Sequence, residues 1–324
     1  MAIRLARWPS RTTPTLGRHL ALAVGAAILL LLLSSQIGAY DDYNLAEVAI
    51  FVIAVAGLNV LTGVNGQLSL GHGALMAIGA AARLRGPYLA GATLALAVGL
   101  PQIATRYSHV FGGEEGLTVT PPGPPDWLGA DFPPERWMAW IAIAAALVTI
   151  VLLANLLQSS VGRSFKAVRD HEAAAALAGI DVARTQVHAF VVSSACAGLA
   201  GSLFAYWSGL TAPAGFGVAL SLQLLSAIVI GGLGSLSGAV WGSIILVIIP
   251  ALTGGLASSL SLASSVANNL PLAIYGSVLV LAMLLVPNGI DGGLRRLLVL
   301  ARTRWTGAPS THKGVVDWDD PSGG

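Results

Sequence analysis

The sequence predicts an all-α polytopic membrane protein with about eight or nine transmembrane helices, counting ~20 residues per crossing. Three observations carry that prediction. Of 324 residues, 55% are hydrophobic and 10% charged, against about 25% charged in soluble domains, and the mean hydropathy is +0.76. Uncharged apolar runs long enough to cross a bilayer recur along the chain. From 185 to 290 there is no Lys, Arg, Asp or Glu. The net charge of +2 says little by itself; the placement of the basic residues says more.

Residues 1–19 form a basic N-terminus with Arg4, Arg7, Arg11 and Arg18, followed by an uncharged run over 20–40. Positive charge ahead of a first span places this terminus in the cytoplasm. The small residue Ala39 would suit signal-peptide cleavage, but the number of later spans favours an uncleaved helix. An acidic link, DDYNLAE, leads to a second run over 48–61. Next comes TGVNGQLSLGHGALMAIGAAA (62–82), which is Gly-rich and polar for a segment at membrane depth. Irregular backbone is tolerated there only when buried in protein or lining a polar cavity. Asn59, Asn65, Gln67, Ser69 and His72 are therefore the candidates for lining a pathway. The competing reading is helix packing, with Gly66, Gly71, Gly73 and Gly79 permitting close approach and the amides bonding across helices.

Arg83 and Arg85 precede another span, to about residue 105, and an acidic, Pro- and Gly-rich loop over 106–136 carries Glu114, Glu115, Asp126, Asp131 and Glu135 without a lysine. That loop is expected outside. Trp137 opens the next span, and further spans are expected near 187–207, 218–233, 239–254 and 268–287, with Pro250 and Pro271 kinking or starting helices. Residues 291–324 form a tail with Arg295, Arg296, Arg302, Arg304 and Lys313, expected in the cytoplasm, and its last residues, WDDPSGG, read as disordered. The transmembrane domain is thus 20–290. Two cytoplasmic ends need an even number of crossings, whereas 66–82 counted as a full span gives an odd number and leaves Arg83 and Arg85 outside. Either 66–82 is re-entrant or a helix before Arg83 is absent.

A charged island, 159–186, interrupts the apolar chain with Arg163, Lys166, Arg169, Asp170, Glu172, Asp181 and Arg184. Alanines 173–176 with Leu177 favour a helix, Gly179 suits its end, and Asp181 suits the N-cap of a new helix from Val182. Phe165, Val168, Glu172, Ala175, Ala176 and Gly179 recur at helical spacing and would make one small, flat side, as a docking surface would. The plain alternative is a positively charged cytoplasmic loop.

Several chemistries are excluded. There is no G-x-x-x-x-G-K-[ST], the only lysines are Lys166 and Lys313, and neither HExxH nor paired intramembrane carboxylates occur. Cys196 is the single cysteine and sits among small residues, as a packing thiol does. His72 and His188 are isolated. A transporter with neither its own ATP site nor an ionisable relay is one that a partner can drive, and the island is where that partner would push.

GLNVLTGVNGQLSLGHGA (57–74), RLRGPYLA (83–90), FGGEEGL (111–117), VGRSFKAVRDHEAAAALAGIDVARTQVHAF (161–190) and GGLGSLSGAVWGS (231–243) together resemble, in order, the LivM-type permease subunits of branched-chain amino acid ABC importers. The resemblance implies an ABC importer permease fold in which 159–186 is the coupling loop fitting a cytosolic ATPase. The family's glutamate, small residues and glycine fall on Glu172, Ala173, Ala174 and Gly179, followed by Ile180. The glycine lies one residue further on than in the general importer motif. Arg163, Lys166 and Arg169 are expected to hold the loop in the cytoplasm and to touch the ATPase. Family members have another helix between the segments resembling MAIGAAA and RLRGPYLA, which are fused here, where the crossing count also fails. Implied partners are a second permease, two cytosolic ATPase subunits and an extracytoplasmic binding protein, with no nucleic acid. ATP and Mg would bind those ATPases and no cofactor this chain, which is a transport subunit rather than an enzyme. The expected substrate is a branched-chain or related hydrophobic amino acid. Alternatives are urea or short amides within the family and, in another class, a stand-alone channel or secondary carrier.

Overall fold

The computed structural model describes residues 15–69, 71–72, 87–121, 123–129, 131–259 and 289–294, with single positions 274, 276, 277 and 281. The chain is helical almost throughout: α1 (Thr15–Ser34), α2 (Ala39–Asn59) running on as a π-helix (Val60–Val64), α3 (Pro87–Arg106), α4 (Pro134–Gln158), α5 (Ser160–Asp170), α6 (Glu172–Leu177), α7 (Val182–Ser208), α8 (Val218–Gly231) and α9 (Leu236–Ser259). Among the described residues four helices are long and apolar enough to cross a membrane: Ala39–Val64, Pro134–Gln158, Val182–Ser208 and Leu236–Thr253. The spans expected near 137–157, 187–207, 218–233 and 239–254 each coincide with a helix. Pro250 lies inside α9 rather than at its start. The expected span near 268–287, and the helix expected to be absent before Arg83, fall largely or wholly outside the described residues.

The bundle is built around α2. Every residue from 49 to 65 is buried, as expected for a helix that is apolar on all sides. It packs against α4, α7, α8 and α9, while α1 packs on α4 at the periphery. Because lipid is as apolar as a leucine, such packing rests on van der Waals fit and close backbone approach. The α2–α7 contact shows this: a Cβ on Gly57 would lie 2.4 Å from Cys196 Cβ. An apolar cavity of about 590 Å³ is lined by α1, α2, α4 and α9; His19 is its one polar lining residue, so it is distinct from the polar segment after α2.

One expectation needs correction. DDYNLAE is not a link: the helix starts at Ala39 and carries Asp41 and Asp42 in its first turn, where a carboxylate suits the helix dipole.

The two ends of the bundle differ. At the charged end lie α5, α6, the π-helix, the 231–238 turn and residues 289–294; His19, early in α1, is 3.0 Å from Gln158 at the end of α4. At the opposite end lie the α1–α2 turn, the 107–133 loop and the α7–α8 connection. There a two-stranded antiparallel sheet pairs Leu117 with Thr211 and Thr118 with Leu210, and Tyr43 stacks on Trp207 with ring centroids 4.4 Å apart. The loop expected outside and the charged island thus lie at opposite ends.

Candidate functional site

The island folds as three helical pieces rather than the expected two. His171 is extended (φ −157°, ψ 97°) and separates α5 from α6. On α5 the spacing of Gly162, Phe165 and Val168 buries one side, while Arg163 and Lys166 stand exposed on the other. Phe165 is fully buried in the main core, so α5 is a docked element. The single flat side drawn from Phe165 to Gly179 therefore does not form: Phe165, Val168 and Ala175 point inward, whereas Glu172, Ala176 and Gly179 are exposed.

The six-residue α6 projects from the bundle. Glu172, Ala173, Ala174 and Ala176 are exposed, and Leu177 is 91% exposed. Its end is closed by Gly179 at φ +85°, with Gly179 N–H donating to the Ala176 carbonyl and Ile180 N–H to that of Ala175, both at 3.0 Å. This is the Schellman arrangement, which needs the left-handed backbone that glycine adopts most readily. Ile180 is half-buried, and Asp181 then caps α7, its Oδ1 accepting from Arg184 N–H at 3.1 Å. Leu177 was not among the sequence-derived site residues. A large apolar side chain in an alanine tract reads from sequence as a helix former, and only its exposure marks it as a knob.

Beneath this surface lies the polar segment. Asn65, Gln67, Ser69 and His72 are all at most 4% exposed, and among the described residues their side-chain polar atoms have no hydrogen-bond partner. The His72 ring faces the backbone of Ala54. Thr62, which the sequence did not single out, is likewise buried with an unpaired hydroxyl. Leaving a buried polar group unpaired costs about 1–3 kcal/mol, so such a run needs partners beyond the described residues. Asn59 differs from its neighbours. Its Nδ2 donates to the Ser235 carbonyl at 2.6 Å and its Oδ1 accepts from Gly234 N–H at 2.8 Å, so it clasps the 231–238 turn.

Arg169 joins the two regions. Its Nη1 donates to the Gly63 carbonyl at 2.7 Å, while Nε and Nη2 each lie 3.1 Å from Asp170 Oδ1. The Asp170 pair is solvent-exposed and worth about 0–1 kcal/mol, whereas a charged donor on a part-buried carbonyl is worth about 1.5–3. The Gly63 contact therefore sets the side chain's direction, which is into the bundle. Ser235 and Ser237 hydroxyls donate to Asp291 Oδ2 and Oδ1 at 2.7 and 2.6 Å, fastening residues 289–294 to the same junction.

Residues 80–286 match the family model described as branched-chain amino acid transport system / permease component. The chain belongs to that permease family. The match takes in the whole island and helices α3 to α9, and with the apolar helices it makes the permease a multi-pass membrane protein. It is 26% identical to the high-affinity branched-chain amino acid transport system permease protein LivM of Escherichia coli (strain K12), over 74% of this chain and 67% of the relative. It is 29% identical to the probable ABC transporter permease protein y4mJ of Sinorhizobium fredii, over 70% of this chain and 80% of the relative. Over a shorter stretch, 47% of the chain and 46% of the relative, it is 31% identical to LivH of Escherichia coli (strain K12), a permease of the same transport system. No solved structure matches the chain.

Proposed function

We propose that this permease is one membrane subunit of an ATP-driven importer of branched-chain or related hydrophobic amino acids, with its charged end in the cytoplasm. It pairs with a second permease, two cytosolic ATPase subunits and an extracytoplasmic binding protein that delivers substrate. The observation that carries this reading is α6: a short helix held clear of the bundle, exposing Leu177 and four other residues, and mounted on the docked α5. An apolar knob this exposed outside the apolar spans is a surface for a partner. Leu177 is its anchor, Ala173 and Ala174 let the partner approach closely, and Glu172, Arg163 and Lys166 supply charge around the rim. Gly179 and Ile180 fix the exit angle.

The names of the relatives support the substrate class, and the unpaired run Asn65, Gln67, Ser69 and His72 supports a polar pathway beside α2. ATP binding draws the ATPases together and carries α6 with them, opening the pathway outward; hydrolysis resets it.

The test is co-purification of the permease from membranes with its cognate ATPase, comparing wild type with Leu177→Asp, Glu172→Lys and Gly179→Arg. Wild type is expected to capture the ATPase. Leu177→Asp, removing a central apolar anchor worth about 2 kcal/mol or more, is expected to weaken capture at least ~30-fold. A correctly inserted wild-type permease that captures no ATPase would overturn the reading in favour of a stand-alone channel or carrier.

A further inference from the structure

Two stretches distant in sequence, 63–66 and the turn at Gly234, meet the side chain of Arg169. Its Nη1 holds the Gly63 carbonyl at the end of the π-helix at 2.7 Å. Its stem lies against Gly66, where a Cβ would come within 2.8 Å of Arg169 Cγ, and its head lies against Gly234, where a Cβ would be 3.4 Å from Nη1. Both glycines have φ +79°, so two tight turns flank one side chain. Gly63 is just as confined: a Cβ there would lie 2.0 Å from Asn59 Oδ1 and 2.3 Å from Gly234 N. The glycine contacts are close, and although the Arg169 side chain keeps 42% of its surface exposed, its Nη1 edge is tied directly to the backbone at Gly63.

The two sides of the junction do different things. Outward, Arg169 ends α5 beside Asp170 and the extended His171 that leads into α6. Inward, Gly63 and Gly66 lie within the stretch that carries Thr62, Asn65, Gln67, Ser69 and His72, which are buried and have polar atoms without hydrogen-bond partners among the described residues. On its other flank, Gly234 leads through Ser235 to Asp291. A planar guanidinium suits this place because one edge faces Asp170 while the remaining nitrogen reaches Gly63; an ammonium on a flexible stem holds one partner at a time.

We propose that Arg169 is the positioning residue through which movement of α6 reaches the polar segment 62–72, by way of the Gly63 carbonyl. This rests on the importer reading above, and it assigns the Nη1 edge of the part-exposed Arg169 to a contact within the permease. When α6 moves, α5 carries Arg169, and the Gly63 carbonyl and the two flanking turns move with it.

The test uses the assembled complex in proteoliposomes, measuring ATPase capture and the ratio of ATP hydrolysis with and without amino-acid-loaded binding protein. Arg169→Ala is expected to capture the ATPase as wild type does and to lose the stimulation by loaded binding protein, together with transport. Arg169→Lys, which can still reach Gly63, is expected to keep part of both. An Arg169→Ala complex with wild-type stimulation and transport would sink the proposal while leaving the importer reading intact. A wild-type permease without ATPase capture would remove both.

If Arg169→Ala does not assemble, amide hydrogen exchange of the wild-type complex with and without nucleotide decides. Changes at 172–179 accompanied by changes at 60–67 support the link. Changes at 172–179 alone overturn it.

Discussion

The buried carboxylate of Asp42 accepts a hydrogen bond from Arg136 Nε at 2.9 Å; its side chain has no exposed surface, and that of Arg136 retains 21%. The pair joins the start of α2 to the start of α4. Ser34 Oγ donates to the other carboxylate oxygen at 2.5 Å, and Arg136 Nη2 donates to the Ile37 carbonyl at 3.0 Å. Arg136→Met leaves the buried carboxylate without its cation and with only the Ser34 hydroxyl as donor, a change that costs about 3–5 kcal/mol. Its thermal midpoint in detergent is expected to fall clearly, and that of the double variant Asp42→Leu with Arg136→Met to fall less, because the pair's own desolvation cost goes with it. A double variant no more stable than Arg136→Met would contradict this account.

Asn59 spends both ends of its amide on the backbone of the 231–238 turn. Asn59→Leu keeps the volume and strands the Gly234 N–H, at about 1–3 kcal/mol, while the Ser235 carbonyl keeps the Ala239 N–H. Asn59→Asp keeps the acceptor for Gly234 but buries a carboxylate oxygen against the Ser235 carbonyl, so it is no milder. Faster amide exchange across 231–238 and a lowered thermal midpoint are expected for both.

Asp181 offers two interactions that a pair of variants separates. Its Oδ1 caps α7 through Arg184 N–H, and its Oδ2 lies 3.1 Å from Arg184 Nε in an ion pair whose side chains are 53% and 82% exposed. Caps are worth about 0.5–2 kcal/mol and exposed pairs about 0–1. Asp181→Asn, which keeps the cap and drops the charge, is expected to behave nearly as wild type, and Asp181→Ala to loosen the first turn of α7. Exchange rates at 182–185 measure both.

The two ends of the bundle give a sidedness test. Trp127, 79% exposed, and Leu177, 91% exposed, lie at opposite ends. In a Cys196→Ala background, Trp127→Cys is expected to react with a membrane-impermeant thiol reagent added outside intact cells, and Leu177→Cys only after lysis. Labelling of Leu177→Cys in intact cells would reverse the proposed orientation.

Several parts of this architecture were legible in the sequence because the signal was local. The Gly179 stop and the Asp181 cap depend on neighbours within four residues, and both stand as read. The apolar helices follow from composition over about 20 residues. Within the sequence Asp42 belongs to an acidic link, and the arginine that pairs with it is 94 positions away. A helical pattern continues across His171, where the chain breaks; the burial of Phe165 and Val168 holds α5 to the core while α6 leaves it.

The sequence by itself determined that this is a helical membrane permease whose island carries the charge, since apolar run length, the absence of charge over 185–290 and the ordered family segments are properties of the chain as written. Tertiary structure decided which polar residues are committed and which are unpaired. It turned Arg169 toward Gly63, closed Asn59 on Gly234 and left Asn65, Gln67, Ser69 and His72 without hydrogen-bond partners among the described residues. The physical reason is separation: Arg169 and Gly63 are 106 positions apart and Asn59 and Gly234 175, and a hydrogen bond over such distances is set by how helices pack, to which no local pattern refers.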